Sequence, residues 1–144
     1  MKYIETVLEP EERVVAEAKM HWIIYVRGLS VLLFSFFLIS ANSAFGALLL
    51  LIGILMVISS AIQRYTTEIA ATDRRVIVKT GLIRRDTKEI QARRVESVEI
   101  KQSILGRILN YGTVTVRGTG QGISPIKNIR EPLVFRQAVA KTAR

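Results

Sequence analysis

Arginine and lysine are the residues of this sequence whose types and spacing most clearly suggest a function. The stretch "TDRRVIVKTGLIRRDTKEI" at positions 72–90 sets basic side chains within an alternating Val/Ile pattern, with Gly81 at a turn. A β-hairpin of this kind can bind the phosphates of nucleic acid or lipid, bind an acidic protein surface, or simply keep one face of a sheet in water. The candidate lipid- or partner-binding residues are Arg74, Arg75, Lys79, Arg84, Arg85, Arg93 and Arg94.

Residue patterns that would indicate catalysis are missing from the sequence. The chain has no cysteine, which excludes thiolate chemistry and a disulfide framework. Its single histidine, His21, precedes Trp22 at the start of a long apolar stretch, where we expect a structural role. Glu96 and Glu99 are an odd number of residues apart in a strand pattern, so they face opposite sides and make a poor acid–base pair. The sequence therefore predicts a non-enzymatic protein with no cofactor and no metal site.

Three glycines alternate in "RGTGQGIS", at Gly118, Gly120 and Gly122. The spacing matches neither a phosphate-binding P-loop nor a dinucleotide-binding fingerprint, and no clear helix pattern begins after it. A flexible hairpin loop is therefore favoured over a phosphate site.

A long uncharged stretch precedes the basic residues. Positions 28–62 hold 35 residues without Asp, Glu, Lys, Arg or His, and the apolar stretch at 22–62 is close to the length of two membrane-crossing helices. The small, polar break "SANSAFG" at 40–46 leaves room only for a tight turn. Because a helical hairpin satisfies its own backbone hydrogen bonds in lipid, we predict a transmembrane hairpin at 22–63, with helices at 22–40 and 44–62.

Two alternatives for this stretch are disfavoured. A signal peptide would need a basic n-region, a small-residue cleavage site and a shorter apolar run. A buried soluble helix pair would need a polar face, which "ALLLLIGILMVI" lacks.

The orientation of the two helices follows from the charges beside them. Lys19, Arg27 and Arg64 flank the two helices, whereas the turn between them is uncharged. The positive-inside rule therefore predicts an integral protein of the plasma (inner) membrane with both termini in the cytoplasm.

The chain after the hairpin changes to the two-residue period of β-strands. Strand patterns occur in "YTTEIAATD", "RRVIVKTG", "IRRDTKEIQ", "VESVEIKQ" and "GTVTVRG", with a short helical turn at "SILGRILN" and an edge strand at "GISPIKNI". In the second strand we expect Val76 and Val78 in the core and Arg75, Ile77 and Lys79 on the opposite face.

A terminal amphipathic helix is predicted to begin at Pro132, with one face formed by Val134, Phe135, Ala138, Val139 and Thr142. The order of elements predicts an α+β domain at 64–144, in which a strongly bent antiparallel sheet or open barrel is closed at one end by this helix.

Residues 1–21 are predicted to be a short cytoplasmic segment. Within them, "ERVVAEAKM" could be a strand or the lead-in to the first helix.

Five motifs follow one another in this region: Thr72–Arg75, Gly81, Val95–Glu99, Gln102–Leu109 and Tyr111–Val116. In this order they resemble the bacterial pleckstrin-homology-like domain of small membrane-anchored proteins. The resemblance covers roughly positions 10–140, and a helical hairpin precedes the domain in that family too. It implies a PH-like bent sheet of about seven strands capped by a C-terminal α-helix, and it implies neither an activity nor ligand residues.

Positive charge is the main functional signal of the predicted domain. Residues 64–144 hold 17 lysines and arginines against seven acidic residues, a net charge of +10. Each basic residue close to an anionic leaflet contributes about 1 kcal/mol, an effect that fades within a Debye length. We therefore expect a membrane-anchored module that binds anionic lipid, a partner protein, or both at the cytoplasmic face.

Other partners are also conceivable. The chain could be an assembly or scaffold subunit, or self-associate, because the hairpin carries small residues that suit helix–helix packing: Gly46, Ala47, Gly53, Ser59, Ser60 and Ala61. A nucleic-acid partner is disfavoured because the strands lack aromatic residues for base stacking. A transporter is disfavoured because the two helices contain no paired intramembrane charges.

Overall fold

The computed structural model describes residues 2–41, 43–81 and 86–142 of the 144-residue chain. The chain forms two compact units: a strand unit made of Met1–His21 and Thr66–Arg144, and a hairpin unit made of Trp22–Tyr65. In chain order the elements are α1 (Lys2–Val7), β1 (Val14–Ala18), α2 (Val26–Ala41), α3 (Ser43–Thr66), β2 (Glu68–Thr72), β3 (Arg75–Thr80), β4 (Asp86–Gln91), β5 (Val95–Lys101), α4 (Ile104–Ile108), β6 (Tyr111–Gly118), β7 (Gln121–Gly122), β8 (Ile126–Arg130) and α5 (Pro132–Thr142).

The N-terminal segment belongs to the strand unit. The sequence left residues 12–20 open between a strand and a helix lead-in, and the structure makes Val14–Ala18 a strand. This strand pairs antiparallel with β2, with Ala18 opposite Ile69. Residues 1–21 are therefore joined to the later strands rather than set apart from them, and the hairpin unit is inserted between two paired strands.

The hairpin unit consists of one 3₁₀ turn (Trp22–Tyr25) followed by α2 and α3. Two stretches, Trp22–Ser40 and Ala44–Thr66, are long and apolar enough to cross a membrane by length and composition. They agree with the two helices predicted at 22–40 and 44–62, and the second helix continues to Thr66.

Glycines allow the two helices of the hairpin unit to approach each other closely. A Cβ atom added at Gly28 would lie 2.7 Å from Cγ2 of Val57, and one added at Gly53 would lie 2.8 Å from Cδ2 of Leu32. The Ser60 hydroxyl also donates a hydrogen bond across the hairpin, to the Ile24 carbonyl at 3.1 Å. Small residues here serve the packing of the two helices against each other.

The first sheet of the strand unit has the order β1-β2-β3-β4, and its pairs are antiparallel. Val76 and Val78 lie in the core, as predicted. Ile77 was predicted on a polar face with Arg75 and Lys79, yet it is 0% exposed. The reason is α1, which the sequence pattern did not reveal: this helix packs on β2, whose Ala70 lies opposite Ile77, and it covers the outer face of the sheet.

The second sheet consists of β5, β6 and β7, with β8 also pairing with β6. Helix α5 packs on β1 and β2 of the first sheet and on β5 and β6 of the second, which confirms the predicted capping helix. Its buried residues are Pro132, Phe135 and Val139. Val134 was expected on this face but is exposed, because it lies about 100° around the helix from Phe135.

The architecture is therefore α+β and PH-like, with two antiparallel sheets and a C-terminal helix. An antiparallel bridge between Met20, just after β1, and Ile129 of β8 links the two sheets. One core cluster draws residues from both sheets and from α5, among them Ile69, Val78, Val116, Ile129 and Phe135. About seven strands were predicted, and the described residues form eight, among them the two-residue β7.

The close approach of α2 and α3 makes Gly53 a sensitive position. We expect Gly53→Ile to force the helices apart and to lower the free energy of unfolding by about 1–3 kcal/mol, as overpacking does in cores. Thermal unfolding of the detergent-solubilised chain, followed by the fluorescence of its single tryptophan, Trp22, measures this. Ser59→Ile is the matched control, because Ser59 is exposed. Equal effects of the two substitutions would contradict the proposed packing.

Candidate functional site

The turn between β2 and β3 is built by side chains of the motif "TDRR". The Thr72 hydroxyl accepts hydrogen bonds from the backbone N–H of Arg75 at 3.0 Å and of Arg74 at 3.3 Å, and so fixes the turn. The same hydroxyl donates to Oε1 of Glu12 at 2.7 Å. Asp73 accepts from the backbone N–H of Arg13 at 3.0 Å. The turn is thereby attached to the loop that precedes β1.

Arg75 and Glu12 form a bidentate ion pair beneath this turn. Nε of Arg75 lies 3.0 Å from Oε1 of Glu12, and Nη2 lies 2.9 Å from Oε2. The same guanidinium donates to Glu89 on β4 at 2.8 Å and to the Val7 carbonyl at 3.0 Å. One side chain thus links α1, the N-terminal loop, β3 and β4.

The surroundings of this ion pair lower the pKa of Glu12 and raise the pKa of Arg75, so both favour the charged form. Burial raises the pKa of Glu12, but hydrogen bonds from Arg75, Thr72 and the backbone of Glu9, together with the charge of Arg75, outweigh it and lower the pKa from its usual 4.5 to about 2. Hydrogen bonds to Glu12 raise the pKa of Arg75; burial opposes this shift and the charge of Glu89 adds to it. The pair is therefore ionised at neutral pH.

An open cleft of about 1050 Å³ lies beside this ion pair. Four of the seven predicted basic residues line it: Arg74, Arg75, Arg93 and Arg94. The backbone brings them together, because the N–H of Ala92 donates to the Arg74 carbonyl at 2.8 Å and the N–H of Thr119 donates to the Arg94 carbonyl at 3.1 Å. The glycine loop that follows β6 contributes Thr119 and Gly120 to the rim.

The four arginines of the cleft differ in their ion-pair partners. Arg75 is held by Glu12 and Glu89, and Arg74 forms an exposed ion pair with Glu9 at 3.0 Å. Arg93 and Arg94 are exposed, and neither has an ion-pair partner within the described ranges.

Carboxylates also line the cleft, at Glu9, Asp73 and Glu89. Its walls therefore carry both signs of charge, and its readily available cations are Arg93 and Arg94.

The other predicted basic residues are not in this cleft. Lys79 lies near the opposite end of β3. Its side chain is largely buried, and its Nζ is 3.9 Å from the carboxylate of Glu68. Arg84 and Arg85 lie outside the described residues.

Sequence reasoning missed the acidic residues of the site. Glu12 is separated from Arg75 by the whole hairpin unit, and no spacing rule connects residues across such an insertion. The sequence did contain one indication, the polar "TDRR" turn between two apolar strands. Because buried polar side chains are hydrogen-bonded, such a turn indicates a polar partner elsewhere in the chain.

The cleft and the hairpin attachment lie at opposite ends of the strand unit. The hairpin leaves the unit after His21 and returns at Thr66, close to Glu68 at the start of β2. The cleft residues follow the other end of β2, at Thr72. A strand of five residues spans roughly 17 Å, so the cleft is at least about that far from the attachment.

The Glu12–Arg75 pair makes the strand unit sensitive to one substitution. We expect Glu12→Gln to lower the free energy of unfolding by about 3 kcal/mol, because it leaves Arg75 without its main buried counter-charge. Amide hydrogen exchange of β2 and β3 in the full chain should then accelerate about a hundredfold. Glu17→Gln, at an exposed position of β1, is the control.

The same pair predicts a pH dependence. Because the pKa of Glu12 is depressed in the folded state, its stabilising contribution is complete above about pH 4.5 and is lost as the pH falls toward 2. The stability difference between wild type and Glu12→Gln, measured by urea unfolding, should therefore shrink over that interval. A difference that stays constant from pH 6 to pH 2.5 would contradict the role assigned to Glu12.

Comparison with known proteins agrees with this architecture. A family model described as the bacterial PH domain matches residues 22–143, which include both apolar helices, the strands from β2 to β8 and helix α5. No curated protein and no solved structure matches the chain. Within the described residues, no group of acidic and histidine side chains is placed to hold a metal ion. Because the match covers most of the chain and agrees with the resemblance found in its motifs, the chain belongs to the bacterial PH domain family.

Proposed function

We propose that the protein is a non-enzymatic module, anchored in a membrane by its hairpin unit with both termini in the cytoplasm, whose cleft binds a segment of a partner protein that carries both acidic and basic side chains. Membership of a PH-like family supports a binding rather than a catalytic role. The observation that carries the proposal is the pair Arg93 and Arg94, which are exposed on the rim of an open cleft at the end of the strand unit remote from the hairpin attachment.

The surface of the hairpin unit supports a membrane anchor. Large apolar side chains point outward from it: Leu33, Phe36 and Phe37 are 76%, 77% and 71% exposed. Such a continuous apolar surface is unfavourable in water and is typical of a helix pair that faces lipid. Lys19, Arg27 and Arg64 at the flanks support the cytoplasmic placement of both termini.

One observation favours a protein partner over lipid at the cleft. Its walls carry carboxylates, which would repel a lipid phosphate but can pair with the basic residues of a polypeptide.

Anionic lipid is the second candidate, favoured by the net charge of +10 over residues 64–144. Assembly through the small residues of the hairpin has less support, because Gly46 and Gly53 lie against Ile39 and Leu32 of the same hairpin.

A photocrosslinking amino acid at Gln91 tests the cleft in native membranes. Gln91 is exposed on the cleft wall, so both arginines stay intact. We expect a discrete protein adduct from this position. Arg93→Glu with Arg94→Glu should reduce its yield about tenfold or more, because a hydrogen bond to a charged group is worth about 1.5–3 kcal/mol.

The control is the same crosslinker at Arg136, which is exposed on α5 and does not line the cleft. A lipid adduct at position 91 would select the lipid candidate instead. Equal protein adducts at positions 91 and 136, or adducts insensitive to the charge reversal, would overturn the assignment of the cleft.

A further inference from the structure

An exposed apolar cluster on α4 stands apart from the core of the strand unit. Ile104, Leu105 and Ile108 are 80%, 63% and 72% exposed. They lie on a single short helix between β5 and β6, and they present their side chains together to the surroundings. Large apolar residues clustered in this way on a small folded unit indicate a contact surface.

The helix that carries these residues is firmly held. Ser103 caps its N-terminus by accepting from the backbone N–H of Gly106 at 3.1 Å. The side-chain amide of Gln102 donates to the carbonyls of Gly106 at 3.3 Å and of Tyr111 at 3.0 Å. A Cβ atom at Gly106 would lie 2.7 Å from the Tyr111 carbonyl oxygen, so the helix sits directly on the strand behind it. The apolar side chains are therefore presented by a fixed scaffold.

The contacts next to α4 place it near the end of the N-terminal segment. Tyr111, two residues after Leu109, stacks its ring on that of His21 with 5.2 Å between centroids. The backbone N–H of His21 also donates to the Asn128 carbonyl at 2.6 Å. His21 is the last residue before the hairpin unit begins at Trp22. Helix α4 thus ends beside the point at which the chain leaves the strand unit for the hairpin.

The charge around α4 suits an anionic leaflet. Lys101 precedes the helix and Arg107 lies within it; both are exposed, and neither has an ion pair among the residues that the structure describes. The sequence at 100–111 contains no acidic residue. Apolar residues beside unpaired cations are the composition of segments that lie in the interface of a bilayer.

We propose that α4 inserts Ile104, Leu105 and Ile108 into the interface of the bilayer that holds the hairpin, with Lys101 and Arg107 on anionic head groups. This inference rests on the proposed membrane anchor. Strand β6 runs from the end of α4 to the cleft, and its eight residues span roughly 26 Å. Insertion of α4 therefore turns the cleft of Arg93 and Arg94 away from the lipid.

Single fluorescent labels can test this insertion, because the chain has no cysteine of its own. The full chain is reconstituted in vesicles of phosphatidylglycerol and phosphatidylethanolamine, with an environment-sensitive dye on Ile108→Cys. Lipids that carry a quenching group near the glycerol backbone should quench this dye at least about fivefold more than the same dye on Gln91→Cys at the cleft, as expected for a segment at the interface. Both positions are exposed, so neither label disturbs the core.

A third label, on Phe36→Cys in α2, tests the membrane anchor separately from the insertion of α4. Quenching at 36 but not at 108 would keep the anchor and overturn the insertion of α4. Absence of quenching at both positions would overturn both. A dye at 108 that is shielded from water but not quenched by lipid would indicate a protein contact, and would also overturn the inference.

Charge reversal provides an independent measurement. Lys101→Glu with Arg107→Glu should reduce quenching at 108 in anionic vesicles severalfold and should have a smaller effect in phosphatidylcholine vesicles. Equal effects in the two lipids would show that head-group charge plays no part, and would overturn the assignment of these two residues. The circular dichroism of the variants should match that of the wild type, because both side chains are exposed.

Discussion

The ion pair between Glu12 and Arg75 is the interaction on which the strand unit most depends. Strand β1 pairs with β2 at the edge of the first sheet, and just beyond its end Met20 forms a bridge with Ile129 of β8. The pair adds a buried, bidentate contact between the loop before β1 and the first residue of β3, and Arg75 extends it to β4 and to the end of α1. A buried pair of this kind does not add much stability over an apolar contact, but it tolerates the loss of neither partner. It therefore specifies where the N-terminal segment must lie.

This placement gives the strand unit two structurally different ends. The hairpin leaves and returns at one end, where His21 and Tyr111 stack and where α4 presents its apolar side chains. The turn of Thr72 and the arginines of the cleft occupy the other. The basic residues that look equivalent in the sequence are thus separated by their position on the sheet. Some, such as Arg75, are held in ion pairs within the unit, and others, such as Arg94, are exposed.

The strands and the hairpin could be predicted from sequence because each depends on local patterns. An uncharged stretch of 35 residues has few alternatives to an apolar helix pair, and the alternation around Val76 and Val78 follows directly from the pleat. Pro132 marked the start of the last helix for a similarly local reason. The seven candidate basic residues were also found from local composition, and four of them do meet at one cleft.

What could not be predicted depends on contacts between distant segments. Ile77 looked half-exposed because nothing in its strand reveals that α1, more than 60 residues earlier, covers it. Glu12 had no local signal that marked it as the buried partner of Arg75. The apolar residues of "SILGRILN" had the pattern of a short turn, and their exposure depends on how Gln102 and Tyr111 hold that turn at the edge of the unit. Each of these is a tertiary effect that outweighs the local signal.

The insertion of the hairpin between two paired strands also sets an order of events during synthesis. Residues Val14–Ala18 leave the ribosome first, but their partner β2 follows only after both apolar helices have been made. Until then the strand has no ladder to join, and its backbone groups must be satisfied by water. The unit therefore cannot close until the whole hairpin has been synthesised. The pairing of Ala18 with Ile69 shows that the chain on both sides of the hairpin is complete.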